Sequence, residues 1–560
     1  MDTYRAFLAI LISFLILIGY QYFFVGFQSE ETVVEGSADT VRTTPSESGV
    51  QQQSQMQQPA TQQPQLATTP QVPAAVPQPM AGGDAKKISV ETPLYRAVLS
   101  EAGGTVTSFV LKNHRETSAE DSPGKQLIEN PQNMGYPLKF GWGSVIPADS
   151  FYQAADSVVE FENGTGELRM TATTPAGLQV EKVFHFKEDS YIIEMDIRVS
   201  NPTGQTLQGS PQLHQVNVPF EERSTFNRFL FIGPAAYRNG ELKEYKTKEY
   251  EEGPKTVQGV FDWVAFEGTY FMCAIIPETK EPSTFVMQGN EDITYTQLSG
   301  GLDTLSPNDS AIYQYRLFYG PKKLSLLKEL GYNLDRSIDF GWFDFIAKPT
   351  LHLLNFFHSF FKNYGIAIIM VTIIFKAIFW PITQKGLKSM KNMQKLQPKM
   401  VKLKEKYKND PQQMNREVMA LYKTYKVNPL GGCLPMILQI PVFFALYKVL
   451  LLCIELRHAP FMLWINDLSA PDRLWIGFDI PYLGGVPVLT LLMGASMFIQ
   501  QKLTPTTADP TQARIMMMLP VVFTFMFVNF ASGLVLYWFV NNLLAILQQQ
   551  LINRGAAKKA

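Results

Sequence analysis

Among the lysines of the apolar segments in the last third of the chain, the one farthest from a segment end is the first candidate for a chemical role. Lys376 stands in Val371-Thr-Ile-Ile-Phe-Lys-Ala-Ile-Phe-Trp-Pro381, near the middle of an apolar segment long enough to cross a bilayer. A lysine at that depth costs on the order of 2.5–3.5 kcal/mol. Two interpretations stay open: the ammonium reaches the headgroups along its flexible stem, or it lies in a hydrated cavity and attracts a negatively charged visitor.

Polar side chains in the other apolar segments are candidates for the lining of that cavity. Thr372 lies one helical turn before Lys376 on the same face, and Gln439 interrupts an apolar run. Trp538 and Asn542 are an i, i+4 pair in the last apolar segment, with Asn541 beside them. Each could instead hydrogen-bond a neighbouring helix, as polar residues in helix bundles do. Asp and Glu are absent from all the apolar segments concerned, which are 365–383, 430–453, 486–503 and 515–552. No built-in carboxylate therefore faces the lysine.

Motifs for other kinds of chemistry are absent from the sequence. The six histidines lack zinc-binding spacing, the three cysteines exclude a disulfide framework, and neither a Walker motif nor a Gly-x-Ser-x-Gly motif occurs. We therefore expect no cofactor, no metal ion and no covalent catalysis.

The near-neutral charge balance hides a local excess of basic residues. The 560 residues include 49 Lys and Arg against 50 Asp and Glu, yet residues 384–429 hold twelve basic and three acidic residues. The overall balance excludes general nucleic-acid binding, and no recognition of a specific nucleic acid sequence is expected. One basic patch remains to be explained.

Two segments before residue 86 lack the composition of a packed core. Residues 1–28 contain an apolar run without a small-residue cleavage site, which predicts an uncleaved membrane anchor rather than a signal peptide. Residues 29–85 are rich in Gln and Pro, which predicts a disordered tether outside the cytoplasm.

Residues 86–321 are predicted to form a large antiparallel β-sandwich. Apolar and polar side chains alternate over 191–199 and 311–319, and more weakly over 178–186. Across 322–362 the spacing becomes helical, and its many phenylalanines predict an amphipathic helix in the membrane interface. A helix packed under the sandwich is the alternative.

The anchor and five further apolar segments predict a polytopic α-helical membrane protein with six transmembrane helices. The five segments are 363–383, 430–453, 486–503, 515–530 and 534–552. Basic residues collect on one side of the predicted membrane, in the loop 384–429, the turn 504–514 and the tail 553–560. The loop 454–485 on the other side has two arginines against four acids. The positive-inside rule then places both termini in the cytoplasm and the β-sandwich outside the cytoplasm.

The basic loop 384–429 has a helical period of its own. Apolar side chains recur every three or four residues, Pro398 is expected to kink the first arm, and Asp410 with Pro411 restarts a helix as N-cap and first residue. The pattern predicts a cytoplasmic helical hairpin that binds partners through its methionines or, alternatively, only touches anionic lipid. The candidate contact residues are Met390, Met393, Lys395, Met400, Lys402, Tyr407, Met414 and Tyr422.

Several long motifs then follow in order along the last part of the chain. They are Asn428-Pro-Leu-Gly-Gly-Cys-Leu-Pro435, Gln439-Ile-Pro-Val-Phe-Phe-Ala-Leu-Tyr447, Pro460-Phe-Met-Leu-Trp-Ile-Asn-Asp-Leu-Ser469, Ser532-Gly-Leu-Val-Leu-Tyr537 and Gln548-Gln-Gln-Leu551. Together they resemble the core of the YidC/Oxa/Alb family of membrane insertases over roughly residues 340–555. The anchor, tether and sandwich resemble the extra region of Gram-negative members.

This resemblance implies five core spans around a hydrophilic groove open to cytoplasm and lipid, and a galactose-mutarotase-like sandwich. Lys376 takes the place of a positively charged groove residue that is usually Arg, which keeps the charge but loses the bidentate geometry. Contacts to nascent chains would map onto Thr372 and Trp538. The implied function is insertion of nascent membrane proteins into the bacterial inner membrane. The implied partners are the Sec translocon, the ribosome and a targeting receptor.

Three other functions stay open. A small-solute transporter would use Lys376 as a substrate counter-ion, although the chain shows no internal repeat. An intramembrane protease would use Ser496, although no histidine lies in a span. An anchored periplasmic chaperone would work through the sandwich alone.

Overall fold

The computed structural model describes a β-rich domain followed by a helical domain. The described residues are 85–129, 134–221, 230–425, 427, 434–481, 483–503 and 510–557. The predicted anchor at 1–28 and nearly all of the predicted tether at 29–85 lie outside them.

The β-rich domain consists of antiparallel strands in three sheets. The strands are β1 (Lys87–Glu91), β2 (Tyr95–Ser100), β3 (Thr105–Arg115), β4 (Gly124–Ile128), β5 (Lys139–Trp142), β6 (Gln153–Ala154), β7 (Phe161–Glu162), β8 (Thr165–Thr173), β9 (Gln179–Lys187), β10 (Ile192–Ser200), β11 (Leu207–Gly209), β12 (Pro211–Asn217), β13 (Gly233–Arg238), β14 (Glu241–Glu244), β15 (Lys255–Glu267), β16 (Phe271–Pro277), β17 (Pro282–Gly289), β18 (Thr294–Ser299), β19 (Asp303–Leu305) and β20 (Ser310–Pro321). Strands β1 to β4 form one sheet in sequence order, and β11 pairs with β19. The large sheet follows the path β5-β12-β18-β17-β15-β16-β20-β10-β9-β8-β6, with β13 and β14 attached at β15 and β7 at β8. The predicted β-rich domain is thus confirmed.

The segments with alternating polarity form three neighbouring strands of the large sheet. Strand β10 pairs with β9 on one side and β20 on the other, so that Met195 lies opposite both Phe184 and Tyr315. Met195 and Val199 are buried while Arg198 is exposed. The three predicted strands are therefore confirmed, and their apolar faces form part of the domain core.

A lysine is fully buried in the β-rich domain. Lys182 on β9 has no exposed surface, and its Nζ donates hydrogen bonds to the carbonyl oxygens of Gly103, Gly104 and Leu138 at 2.9, 3.2 and 2.8 Å. Its Nζ also lies 4.6 Å from the ring centre of Tyr152. Burial lowers the pKa of Lys182 to about 7. Three carbonyl oxygens thus match the three N–H donors of the ammonium.

The helical domain follows the last strand. Its helices are α1 (Leu324–Leu330), α2 (Asp344–Phe361), α3 (Tyr364–Lys406), α4 (Pro411–Thr424), α5 (Leu434–Leu452), α6 (Val488–Leu503), α7 (Pro510–Phe527) and α8 (Ser532–Ala557). Helix α3 joins the predicted span 363–383 to the first arm of the basic loop in one helix of 43 residues. Helices α5 to α8 occupy most of the other predicted spans, but α7 begins inside the predicted turn 504–514 and α8 continues into the predicted tail 553–560.

Length and apolarity single out one stretch of the described chain. By these two properties Tyr364–Leu403 could cross a membrane, and shorter apolar stretches are Leu438–Leu452, Val488–Leu503 and Met516–Phe527. The count of six transmembrane helices stays a prediction.

The segment 322–362, predicted as one amphipathic helix, is divided into two helices. Gly331, Tyr332 and Asn333 all have positive φ, which ends α1 and interrupts the helical path. Two 3-10 turns follow before α2 begins at Asp344. Helix α2 packs against α3 and α5, so its buried face covers other helices of the helical domain.

The basic loop 384–429 forms a helical hairpin from the end of α3 and from α4. The Asp410 carboxylate accepts the backbone N–H of Gln413 at 3.0 Å, and Pro411 is the first residue of α4. The predicted N-cap is thus confirmed. Helix α3 continues through Pro398.

The methionine seam of the hairpin faces inward at two of its candidate contact residues. Met393 is buried beside Leu396 and Val427, and Met400 is buried with its Sδ 3.3 Å from the hydroxyl of Tyr422. The remaining candidates are half-buried Met390, Tyr407 and Met414 and exposed Lys395 and Lys402. Met393 and Met400 therefore hold the two arms together instead of offering the adaptable partner surface that the sequence predicts.

One arginine of the loop 454–485 joins the helical domain to the β-rich domain. The guanidinium of Arg457 donates to the carbonyl oxygens of Arg115 at 2.7 Å and Glu116 at 2.9 Å. It also lies 5.4 Å from the ring centre of Phe271. A guanidinium that serves two carbonyls and covers a ring fixes both distance and orientation.

We expect Arg457→Ala to loosen the β-rich domain from this loop. The two hydrogen bonds from this charged donor are together worth about 3–6 kcal/mol, so local opening should become at least about a hundredfold more frequent. Hydrogen exchange of the amide of Glu116, which donates to the carbonyl of Pro123, reports that opening in the full-length chain. Arg198→Ala, which removes an exposed arginine of the β-rich domain, is the control. Equal exchange in both variants would show that other contacts hold the interface.

Candidate functional site

A small cavity between α3, α5 and α8 contains the lysine that the sequence singles out. Its lining consists of Thr372, Phe375, Lys376, Phe379, Thr383, Leu438, Gln439, Val442, Tyr537 and Asn541. The cavity volume is about 20 Å³, which is room for about one water molecule. Half of the lining residues are polar, and the other half are aromatic or aliphatic.

Lys376 has a neutral partner in this cavity. It is half-buried, and its Nζ donates to Oδ1 of Asn541 at 3.3 Å. Among the described residues no ion pair includes Lys376. The positive charge therefore has an amide beside it and no described carboxylate to compensate it.

Two other predicted residues share the cavity with the lysine. The hydroxyl of Thr372 donates to the carbonyl oxygen of Ile368 at 2.6 Å, within its own helix. Gln439 Nε2 donates to the hydroxyl of Tyr537 at 3.0 Å. The structure therefore brings Thr372, Lys376 and Gln439 together across α3 and α5.

The other two predicted groove residues do not line this cavity. Trp538 lies in an aromatic cluster, with its ring centre 5.0 Å from that of Phe443 and 5.0 Å from that of Phe527. Asn542 Nδ2 donates to Oγ of Ser496 on α6 at 3.0 Å, and both residues are buried. Each is one position beyond a cavity residue, which turns its side chain about 100° around α8.

Two polar lining residues, Tyr537 and Thr383, went unrecognised in the sequence, whereas Asn541 was recognised there as the neighbour of Asn542. Tyr537 and Asn541 lie on α8, and Thr383 on α3 accepts a hydrogen bond from Gln548 Nε2 at 2.9 Å. Tyr537, Asn541 and Gln548 are separated by four and seven residues, the spacing of one helical face. That spacing is visible in the sequence and identifies the face of α8 that meets Lys376.

The loop 454–485 ties together the first turns of the two helices that carry Lys376 and Asn541. Asn363 caps α3 by accepting the N–H of Ile366 at 3.1 Å, and its Nδ2 donates to the carbonyl oxygen of Phe461 at 2.7 Å. At the start of α8 the hydroxyl of Ser532 donates to the carbonyl oxygen of Asp467 at 2.8 Å. This loop therefore sets the spacing of α3 and α8 at the N-terminal ends of the two helices.

We expect Gly365→Ala to disturb that junction. A Cβ at Gly365 would lie 1.9 Å from Cδ2 of Phe461, so the ring and its loop must move. Overpacking of this kind costs about 1–3 kcal/mol, enough to lower the melting temperature of the purified chain by several degrees even though alanine favours a helix. Gly253→Ala is the matched control, because no heavy atom lies within 4 Å of a Cβ there. Equal melting of the two variants would contradict the close contact.

Comparison with known proteins assigns both domains. Residues 87–353 match the family described as YidC periplasmic domain, and residues 356–559 match the family described as 60Kd inner membrane protein. The membrane protein insertase YidC of Syntrophus aciditrophicus is 41% identical over 565 residues, which cover 99% of this chain and 99% of that protein.

Two solved structures show weaker likeness. A crystal structure described as an active YidC insertase is 20% identical, with a TM-score of 0.36, over 85% of this chain and 94% of that chain. A galactose mutarotase-like protein of Clostridium acetobutylicum is 11% identical, with a TM-score of 0.30, over 41% of this chain and 94% of that chain. Because both TM-scores are low, the galactose-mutarotase-like topology of the β-rich domain stays a prediction.

The family assignment follows from the matched lengths. The two family matches adjoin at residues 353 and 356 and together span the β-rich and the helical domain. The relative aligns over nearly its whole length as well as that of this chain, so the insertase function that the motifs imply is confirmed. The chain belongs to the YidC family of inner-membrane protein insertases, with a β-rich periplasmic domain.

Proposed function

We propose that the chain inserts nascent membrane proteins by offering their polar ends a charged passage beside Lys376. The observation that carries this mechanism is the ammonium of Lys376, whose partner is the neutral amide of Asn541 at 3.3 Å. A cation next to an amide keeps its attraction for an incoming carboxylate. An acidic extracytoplasmic tail of a client would replace Asn541 as the partner.

The passage must widen for this step. At about 20 Å³ the cavity holds no polypeptide, so the client displaces lining side chains and brings water with it. Hydration and the charge lower the cost of carrying polar backbone into the bilayer. Burial of about 20 apolar residues of the client in lipid supplies the driving force, and the membrane potential assists acidic tails. No bond is made or broken.

We infer six transmembrane helices with both termini in the cytoplasm. The basic hairpin then lies on the cytoplasmic side and the loop 454–485 on the periplasmic side. Helix α2 fits the periplasmic interface, since Phe345, Phe356 and Phe360 are exposed on the face that does not pack against α3 and α5.

The hairpin fits anionic partners. Lys395 and Lys402 are exposed on its surface, whereas its apolar seam is occupied by contacts between the arms. Anionic lipid headgroups at the cytoplasmic face and the ribosome are the partners of matching charge. The Sec translocon and a targeting receptor are further partners that we propose from the family resemblance alone.

Reconstitution of the purified chain into liposomes tests the mechanism. The client is a single-span protein with a short acidic tail, and insertion is read as protection of that tail from external protease. We expect protection with the chain and none in empty liposomes. A small-solute transporter would instead take up a small anion in a manner that depends on Lys376. Anion uptake without client insertion would contradict the proposal.

A further inference from the structure

We propose that an apolar hairpin between α5 and α6 inserts its tip into the periplasmic leaflet of the inner membrane. The apolar hairpin consists of the described residues 474–481 and 483–486, and two backbone hydrogen bonds of 2.8 Å between Leu474 and Val486 close it. This inference rests on the membrane arrangement of the proposed function, because it requires the ends of α6 and α7 near the hairpin to face the periplasm.

The tip of the apolar hairpin exposes large apolar side chains. Trp475, Ile476 and Phe478 are 67%, 46% and 63% exposed. Asp479 is the single charged residue between positions 474 and 486. Large apolar side chains grouped in this way mark an interaction surface rather than scattered exposure, and tryptophan is enriched where protein meets the headgroup region.

The base of the apolar hairpin is fixed to two membrane-domain helices. The carboxylate of Asp472 accepts hydrogen bonds from Trp464 Nε1 at 2.6 Å and from the backbone N–H of Thr490, in the first turn of α6, at 3.1 Å. Arg473 donates to the carbonyl oxygen of Val528, the residue after α7, at 2.7 Å. The apolar hairpin therefore keeps a defined position relative to the ends of α6 and α7.

Continuity with exposed apolar helix surface identifies lipid as the occupant. Near the same ends, α6 exposes Leu491 and Leu492, and α7 exposes Val522 and Phe525. The tip of Trp, Ile and Phe lies just before the first described turn of α6, which begins at Val488, so the tip and these exposed helix residues lie close together along the chain.

Spin labels test the depth of the tip in the full-length chain, reconstituted in liposomes of phosphatidylethanolamine and phosphatidylglycerol. The variants Trp475→Cys and Phe478→Cys are made on a chain whose three native cysteines are replaced by alanine and which still inserts a client. Leu302→Cys, at an exposed site of the β-rich domain, is the water reference, and Phe525→Cys is the lipid reference. We expect the ratio of collisions with oxygen to collisions with a water-soluble nickel complex at 475 and 478 to match that at 525 and to exceed that at 302 several-fold.

Each other pattern of labels has a definite meaning. Water-like ratios at 475 and 478 with a lipid-like ratio at 525 overturn the hairpin inference and leave the proposed function standing. A water-like ratio at 525 overturns the membrane arrangement and the inference with it. Labels shielded from both reagents would show that the tip packs on protein, which also overturns the inference.

A second measurement avoids cysteine variants. Brominated lipids quench the fluorescence of a tryptophan that reaches the acyl chains, so the quenched fraction should be smaller in Trp475→Phe than in the unmodified chain. A quenched fraction in Trp475→Phe that equals or exceeds that of the unmodified chain would contradict the inference, because removing a tryptophan that lies in water raises this fraction.

Discussion

Replacing Lys376 by glutamate should slow the insertion of a client with an acidic tail by more than tenfold. Two unit charges about 6 Å apart interact by about 3 kcal/mol at an effective dielectric constant of about 20, and the substitution turns this attraction into repulsion. A tenfold change in rate corresponds to about 1.4 kcal/mol. Lys376→Ala should be intermediate, because hydration and the membrane potential remain. Lys376→Arg should be tolerated, because it keeps the charge. The initial rate of tail protection in liposomes measures the effect.

A second lysine in the same domain provides the matched control. Lys448 on α5 is half-buried but does not line the cavity. The variant Lys448→Ala should therefore insert the acidic client at a rate close to that of the unmodified chain, whereas Lys376→Ala should insert it more slowly. When Lys376 is replaced by glutamate, the insertion rate of a client with a neutral tail should fall by less than the insertion rate of the acidic client. Equal losses for the two tails would mean that the charge at 376 does not act through the client carboxylate.

The sequence alone identified Lys376 as a candidate site residue, but it could not decide whether Asn541 or Asn542 is its hydrogen-bond partner. A cation in an apolar run is visible without any structure, and so are the nearby Thr372 and Gln439. Asn541 and Asn542 are adjacent, and which of them meets Lys376 depends on the rotation of α8 against its neighbours. Packing sets that rotation: Asn542 hydrogen-bonds Ser496 on α6, which leaves Asn541 to face α3.

In the basic helical hairpin of the loop 384–429, too, neighbouring residues determine some features and tertiary contacts determine others. The N-cap at Asp410 depends on neighbouring residues and could be predicted from them. The apolar seam could also be predicted, but whether it binds a partner or the other arm is decided by tertiary contacts. Met393 and Met400 are covered within the hairpin. The break in the segment 322–362 is visible in part, because Gly331 and Asn333 are residue types that favour positive φ, whereas the positive φ of Tyr332 between them is not announced by its type.

The stability of the β-rich domain should rise with pH because of Lys182. In the folded chain burial lowers the pKa of this lysine to about 7, whereas an unfolded lysine has a pKa of about 10.4. Between these values the unfolded chain holds one more proton than the folded chain, so the free energy of unfolding increases by about 1.4 kcal/mol per pH unit. Below the folded pKa both states are protonated, and the folded chain carries the full cost of a buried charge.

The variant Lys182→Met isolates this contribution. Methionine has nearly the same length without the charge, so it removes the pH dependence, while it leaves the carbonyl oxygens that accept from Nζ without that donor. The difference in unfolding free energy between the unmodified chain and the variant should therefore grow by about 3 kcal/mol from pH 7 to pH 9.5. Hydrogen exchange of the β10 amides, compared between the two proteins at each pH, measures that difference and cancels the intrinsic pH dependence of exchange. Lys187→Met, which removes an exposed lysine at the end of β9, should show no such growth. A difference that stays constant over this range would mean that the three carbonyl dipoles hold the Lys182 ammonium charged despite its burial.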